Sequence, residues 1–168
     1  MQEIQPRMTA SDLIHKIRAA FSEDIAKPPS ITLRTGDALD DHAVPHAFDP
    51  IIDAVTDGYL ETYPWGIAHL DADSWRHYLP QLADYAIRHF SRGTLVGEAT
   101  VSSLCAPDRD PSRLATLTEW QEEAITQFLE FLAFTDGSAH QEEACRAIDE
   151  WWSPDAMYRP SSTRACDE

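Results

Sequence analysis

The chain has 168 residues, with 13 Lys and Arg against 29 Asp and Glu, a formal net charge of -16 at pH 7 and 43% apolar residues. Its five Trp, five Tyr and six Phe supply a core that acidic disordered chains lack, so the charge belongs to a globular protein. A balance this acidic, with Lys16 and Lys27 the only lysines, argues against nucleic acid or anionic lipid as a direct partner.

The opening Met1-Gln2-Glu3-Ile4-Gln5-Pro6 has neither the basic n-region nor the apolar core of a signal peptide. Thr9 or Ser11 can cap a helix over 11–24, with Asp12 at the positive end of its dipole. Leu13, Ile17, Ala20 and Phe21 recur at helical spacing, and Lys27-Pro28-Pro29 stops the pattern. Ser30 to Thr35 alternates apolar and polar residues, which suggests a short strand with its only candidate partner at 94–104. Residues 37–47 read as an acidic loop. Asp49-Pro50 then reads as a helix start, with Phe48, Ile51, Ile52, Val55 and Tyr59 on one face. Tyr63-Pro64-Trp65-Gly66 predicts a turn with the Trp against the core.

Asp71 or Asp73 starts the next helix, with Trp75, Leu79, Leu82, Ala86 and Phe90 on its apolar side. Pro80 interrupts it, so its long part is expected to begin near that residue. Residues 94–116 look irregular. Thr118 and Gln121 form a capping box that opens a central helix, with Trp120, Ala124, Ile125, Phe128, Leu129 and Leu132 facing inward. Asp136-Gly137 breaks the chain, and a last helix follows from Ser138 or Ala139 to Trp152. The expected fold is mostly α: a single-domain bundle of about five helices over 1–154, with room for one minor short β element. Residues 155–168 read as a flexible C-terminal tail.

No apolar run approaches the roughly 20 residues of a membrane span. Cys105, Cys145 and Cys166 are odd in number, widely spaced and without a C-x-x-C, so they read as reduced thiols in a cytoplasmic protein. Cys166 falls in the expected tail, open to oxidation.

The distribution of charge carries more than its total. Between Arg34 and Arg76 there is no Lys or Arg but nine acids, among them Asp37, Asp40, Asp41, Asp53 and Asp57. Between Arg113 and Arg146 there is again none, against seven acids that include Glu119, Glu122, Glu123 and Glu130. These blocks have no local counter-charge and would steer a basic partner. His42 and His46 among Asp37, Asp40, Asp41 and Asp49 resemble a metal-ligand set, but Pro45 spoils a helical spacing and acidic loops with histidines are common without metal. Asp71, Asp73, His69 and His77 are better explained by a helix N-terminus. Cys145 and His140, five residues apart, would not face each other on a helix. No dinucleotide, P-loop or hydrolase-elbow motif is present, so no catalytic, cofactor or metal residue is assigned. Adjacent Trp151 and Trp152 cannot share one helix face, and an exposed one would make an interface anchor.

Two segments carry a resemblance: Trp75-Arg76-His77-Tyr78-Leu79-Pro80, and Leu117-Thr118-x-x-Gln121 leading to Phe128-Leu129. Over residues 45–134 the chain resembles a bacterial family of small domains of unknown function, in which a Tyr-Leu-Pro helix precedes a Leu-Thr-x-x-Gln…Phe-Leu helix. The resemblance implies a compact helical protein and brings no activity. The functional expectation is therefore a non-enzymatic acidic protein that binds a basic protein partner, in the manner of an immunity or inhibitor protein. Its binding residues would be Asp37, Asp40, Asp41, Glu119, Glu122, Glu123, Glu130, Trp151 and Trp152. The alternatives are a DNA mimic that occupies a nucleic-acid-binding protein, and a small metal-assisted hydrolase using Asp and His groups.

Overall fold

The computed structural model describes residues 8–160. Eight α-helices follow one another: α1 (Ala10–Ala20), α2 (Ser22–Ala26), α3 (Leu33–Asp40), α4 (Asp57–Thr62), α5 (Ala72–Arg88), α6 (Leu95–Ser102), α7 (Glu119–Phe134) and α8 (Gln141–Ala147). A π-helical turn, Ile148–Trp152, continues α8, and 3-10 segments occupy Pro64–His69 and Leu114–Thr116. Nine helices thus stand where about five were expected, and no strand occurs among the described residues.

The expected strand at 30–35 is replaced by the start of α3. Thr32 has extended backbone and its hydroxyl accepts the Thr35 N–H at 3.0 Å, a helix cap rather than a strand residue. Ser30 and Ile31 bond to the start of α5 through Asp71 and Ser74 instead of to a neighbouring strand. Its supposed partner at 94–104 is α6, capped by Thr94, whose Oγ1 accepts the Gly97 N–H at 3.1 Å. The acidic loop begins only after α3. Asp49 caps a single turn, accepting the N–H groups of Ile51 and Ile52, and the helix resumes at α4 behind its own Thr56 cap. Ile51 and Ile52 are consequently exposed, not core.

Helices α5 and α7 share the centre: α5 packs against α1, α2, α6 and α7, and α7, expected to be central, packs against α1, α5, α8 and the π turn. Asp71 caps α5, which runs unbroken through Pro80. The lost backbone bond costs about 3 kcal/mol. Trp75, Tyr78, Leu79, Leu82 and Ala83, all fully buried around it, outweigh that cost at roughly 1.5–3 kcal/mol for each large side chain. The two capping boxes, Thr9 with Asp12 and Thr118 with Gln121, are both present. The first helix stops at Phe21, where α2 restarts in a new direction.

Trp65 and Trp120, expected against the core, are exposed, while Trp151 and Trp152 are both buried. The π turn packs on α7, and Trp152 Nε1 donates to Leu104 O at 2.8 Å, so the pair has cover on more than one side. Part of the expected tail is also packed. Ala156 is buried, Tyr158 N–H bonds to Glu150 O, and Arg159 pairs with Glu122. Cys166 lies outside the described residues. No described helix is long and apolar enough to cross a membrane.

The scarce basic residues brace segments distant in sequence. Arg34 pairs with Asp53, Arg88 with Asp57 and Asp84, Arg76 with Asp24 and Asp73, and Lys16 with Glu123. Both guanidinium nitrogens of Arg88 reach Asp57, at 2.7 and 2.8 Å, which holds its carboxyl down at about 2. A depressed carboxyl contributes stability that is present above its ordinary pKa and lost as pH falls toward the folded value. Urea midpoints are therefore expected to hold above about pH 4 and to fall between about pH 4 and 2. Asp57→Asn should flatten that fall only slightly, by less than about 1 kcal/mol, because the pair is nearly half exposed.

Candidate functional site

The acidic segment is built on a fixed frame. Arg34 Nε and Nη2 donate to the two oxygens of Asp53, each at 2.9 Å, and Nη2 also reaches Ala47 O. Asp53 further accepts the Asp49 N–H at 2.8 Å and the Tyr59 hydroxyl at 3.0 Å. Burial works to raise the Asp53 pKa, but these donors prevail and hold it below the usual range. The Thr35 hydroxyl donates to His46 O at 2.7 Å and accepts the His46 N–H at 3.2 Å. The loop between α3 and Asp53 is thus tied down at its middle and its end.

What this frame displays is apolar. Val44 is 77% exposed and Ile51 86%, with Phe48 and Ile52 also largely in solvent. The preceding helix α3 carries Asp37 and Asp40, with Asp41 as its C-terminal cap residue. The spacing of three and four residues puts Asp37, Asp40 and Asp41 on one side of the helix end; burial first, and then the Asp41 and Asp40 charges, raise the Asp37 pKa. Asp40 accepts a bond from His69 Nε2 or pairs with it, at 2.9 Å.

The other predicted binding residues are not assembled with these. Helix α3 packs on the 64–69 segment, whereas α7 packs on α1 and α8. On α7, Glu123 is held by Lys16 and Glu122 by Arg159, each at 2.5 Å, which leaves Glu119 and Glu130 as the outward acids of that group. Trp151 and Trp152, being core, present no anchor. Local absence of Lys and Arg therefore overstated the free charge, because the pairing comes from other parts of the chain.

A second feature escaped the sequence reading. A cavity of about 460 Å³ opens between the 64–69 segment, α6 and residues 103–114, with Trp65 and Leu95 among its walls. Asp108 organises the last of these. Its carboxylate accepts the N–H groups of Arg109, Arg113, Leu114 and Ala115, which keep its pKa low against the effect of burial. Arg113 is buried, with its guanidinium on the carbonyls of Ile67, Ala68 and Leu70. Cys105 also lines this space, but burial pushes its thiol up and it donates to Val101 O, so it is a poor nucleophile. The usable signal was the run of chemically varied residues in 98–113, read only as an irregular loop.

Among the described residues no group of three His, Cys, Asp or Glu side chains could hold a metal ion. His42 and His46 are exposed on the loop, and His42 has a positive φ of 56°. His140 precedes α8 in a buried position, without a side-chain capping bond and with its Nδ1 3.9 Å from Glu143, while Cys145 is only partly buried.

Comparison with known proteins gives a family and no activity. A family model described as "Family of unknown function (DUF6714)" matches residues 9–156, a wider span than the 45–134 of the motif resemblance. No curated protein and no solved structure matches the chain.

Proposed function

Since the chain belongs to the family of unknown function DUF6714, whose description carries no activity, we propose its function from its own surface: it binds a basic protein partner and does not act as an enzyme. The observation that carries this reading is the ordered loop that holds Val44, Phe48, Ile51 and Ile52 in water on the segment that follows the acidic end of α3 at Asp37, Asp40 and Asp41. Large apolar side chains held in water on an ordered, charged segment are a common feature of docking sites. The charge fits a cationic partner, steering its approach and fixing its register, while the apolar side chains supply the affinity. Neutralisation of a basic toxin-like protein is the biological form that this surface suits. DNA mimicry is less well supported, because it needs evenly spaced free carboxylates and Glu122 and Glu123 are tied to Arg159 and Lys16.

The test compares the tagged wild-type chain with Ile51→Ser/Ile52→Ser and Asp40→Asn/Asp41→Asn variants in quantitative capture from the native host's lysate. A basic protein held in stoichiometric amount by the wild type should bind the isoleucine variant about tenfold or more weakly. The aspartate variant should lose mainly association rate and salt sensitivity. Because these positions are exposed, circular dichroism should find all three chains equally folded. Equal capture by wild type and both variants would refute the assignment.

A further inference from the structure

The cavity at Trp65 is lined by a buried arginine, Arg113, whose guanidinium lies 5.9 Å from the centroid of the Trp75 ring but has no ion-pair partner among the described residues. Arg113 is only 4% exposed, yet none of the ion pairs among the described residues includes it. Its Nε and Nη2 donate to main-chain carbonyls, and its Nη1 donates to no described residue. A buried guanidinium ordinarily has a carboxylate against it, because neutral acceptors compensate only part of the lost hydration. The nearby carboxylates are already committed. Asp108 is saturated by four backbone N–H groups, and Asp71 caps α5 and accepts the Ser30 hydroxyl. Burial pushes Arg113 down to about 10, and the adjacent Arg109 charge adds to the effect. Two guanidinium groups therefore face the same space, with Arg109 at the exposed rim.

We propose that this cavity binds a small organic carboxylate, whose flat apolar body lies against Trp65 and Leu95 and whose anionic group is taken by Arg113 and Arg109. The volume, about 460 Å³, falls in the range of small-molecule sites. The walls are chiefly apolar and include Ile67, Ala99 and Leu114 together with Trp65 and Leu95. Nη1 is the Arg113 nitrogen with no described acceptor, so one carboxylate oxygen can accept from it while the other accepts from Arg109. Glu98 also lines the cavity, and its charge sets the limit: a monoanion satisfies the two arginines, whereas a polyanion meets Glu98 and Asp108 as well.

Titration calorimetry with 4-phenylbutanoate, indole-3-acetate and naphthalene-2-carboxylate tests this, each against its neutral amide and its amine of equal size. At least one acid should bind about tenfold more tightly than its amide, as expected for a charge-assisted bond in a partly desolvated site. Arg109→Gln should weaken the acid several-fold and leave the amide unchanged. Trp65→Ala should weaken both. Each replaces an exposed side chain, so folding is not at stake. Arg113→Gln, which removes the buried charge, should abolish the preference of acid over amide. Equal binding of acid and amide, preference for the amine, or no saturation by any acid up to about 10 mM would each overturn the proposal.

Discussion

Gly66→Ala is expected to leave little folded protein at 37 °C. The backbone of α3 crosses that of the 64–69 segment with no side chain between them. A Cβ on Gly66 would strike the Leu33 carbonyl oxygen and stand 2.9 Å from its carbon and 3.1 Å from Asp37 N. A Cβ on Gly36 meets Gly66 in the same way, with Gly66 Cα at 2.9 Å. The obstacle in both cases is main chain, which cannot rotate aside as a side-chain tip would. Overpacking against a fixed neighbour should cost about 3 kcal/mol or more, read as a shift in the urea midpoint. Gly58→Ala is the matched control. Its Cβ would meet only Thr56 Oγ1, at 3.9 Å, in the first turn of α4, so stability should hold or rise by up to about 1 kcal/mol. Similar effects at Gly58 and Gly66 would show that the two backbones are not in contact in solution.

Asp53→Ala is expected to be nearly as damaging, for an electrostatic reason. The Asp53 side chain has no solvent exposure and that of Arg34 only 15%. Removing the carboxylate strands a mostly buried cation and also deprives the Asp49 N–H and the Tyr59 hydroxyl of their acceptor. Breaking such a pair from one side costs about 3–5 kcal/mol. Arg34→Met should cost a comparable amount alone, and the double variant much less than the sum, since it leaves neither charge unpaired. The loop carrying Ile51 and Ile52 should become open to limited proteolysis in Asp53→Ala before the rest unfolds. A loss below about 1 kcal/mol would mean that the network is solvated and the loop is held by other means.

Much of the helical frame was legible in the sequence because it is written locally. Thr9 with Asp12, Asp71, and Thr118 with Gln121 signal helix starts within four residues, and α1, α5 and α7 are long enough for a periodic apolar stripe. Helix α3 was misread because six alternating residues look like a strand when the deciding fact is a backbone crossing with Gly66, thirty positions away from Gly36. Helix α6 has no one-sided stripe, since Val96, Gly97, Thr100 and Val101 are buried by more than one neighbour. The isoleucines at 51 and 52 show a further limit: an apolar pattern does not say whether a residue faces the core or is displayed. The cavity was invisible for a similar reason. Its walls come from three separate segments, and the missing partner of Arg113 exists only once they meet.

The packing of α1 sets a condition on how the protein is made. Leu13, Ile17 and Phe21 are buried, and the partners of their helix are α5 and α7. A ribosome that has released α1 must still translate through Phe134 before α7 is complete. At synthesis rates of about 5–20 residues per second that interval is on the order of ten seconds. Helix α5, complete at Arg88, can cover part of the apolar stripe of α1 during this interval, but the share that α7 covers stays open. The final core closes only late in synthesis, so the nascent chain is a natural client for a holding chaperone, and a truncation anywhere before α7 would leave a sticky fragment rather than a smaller domain.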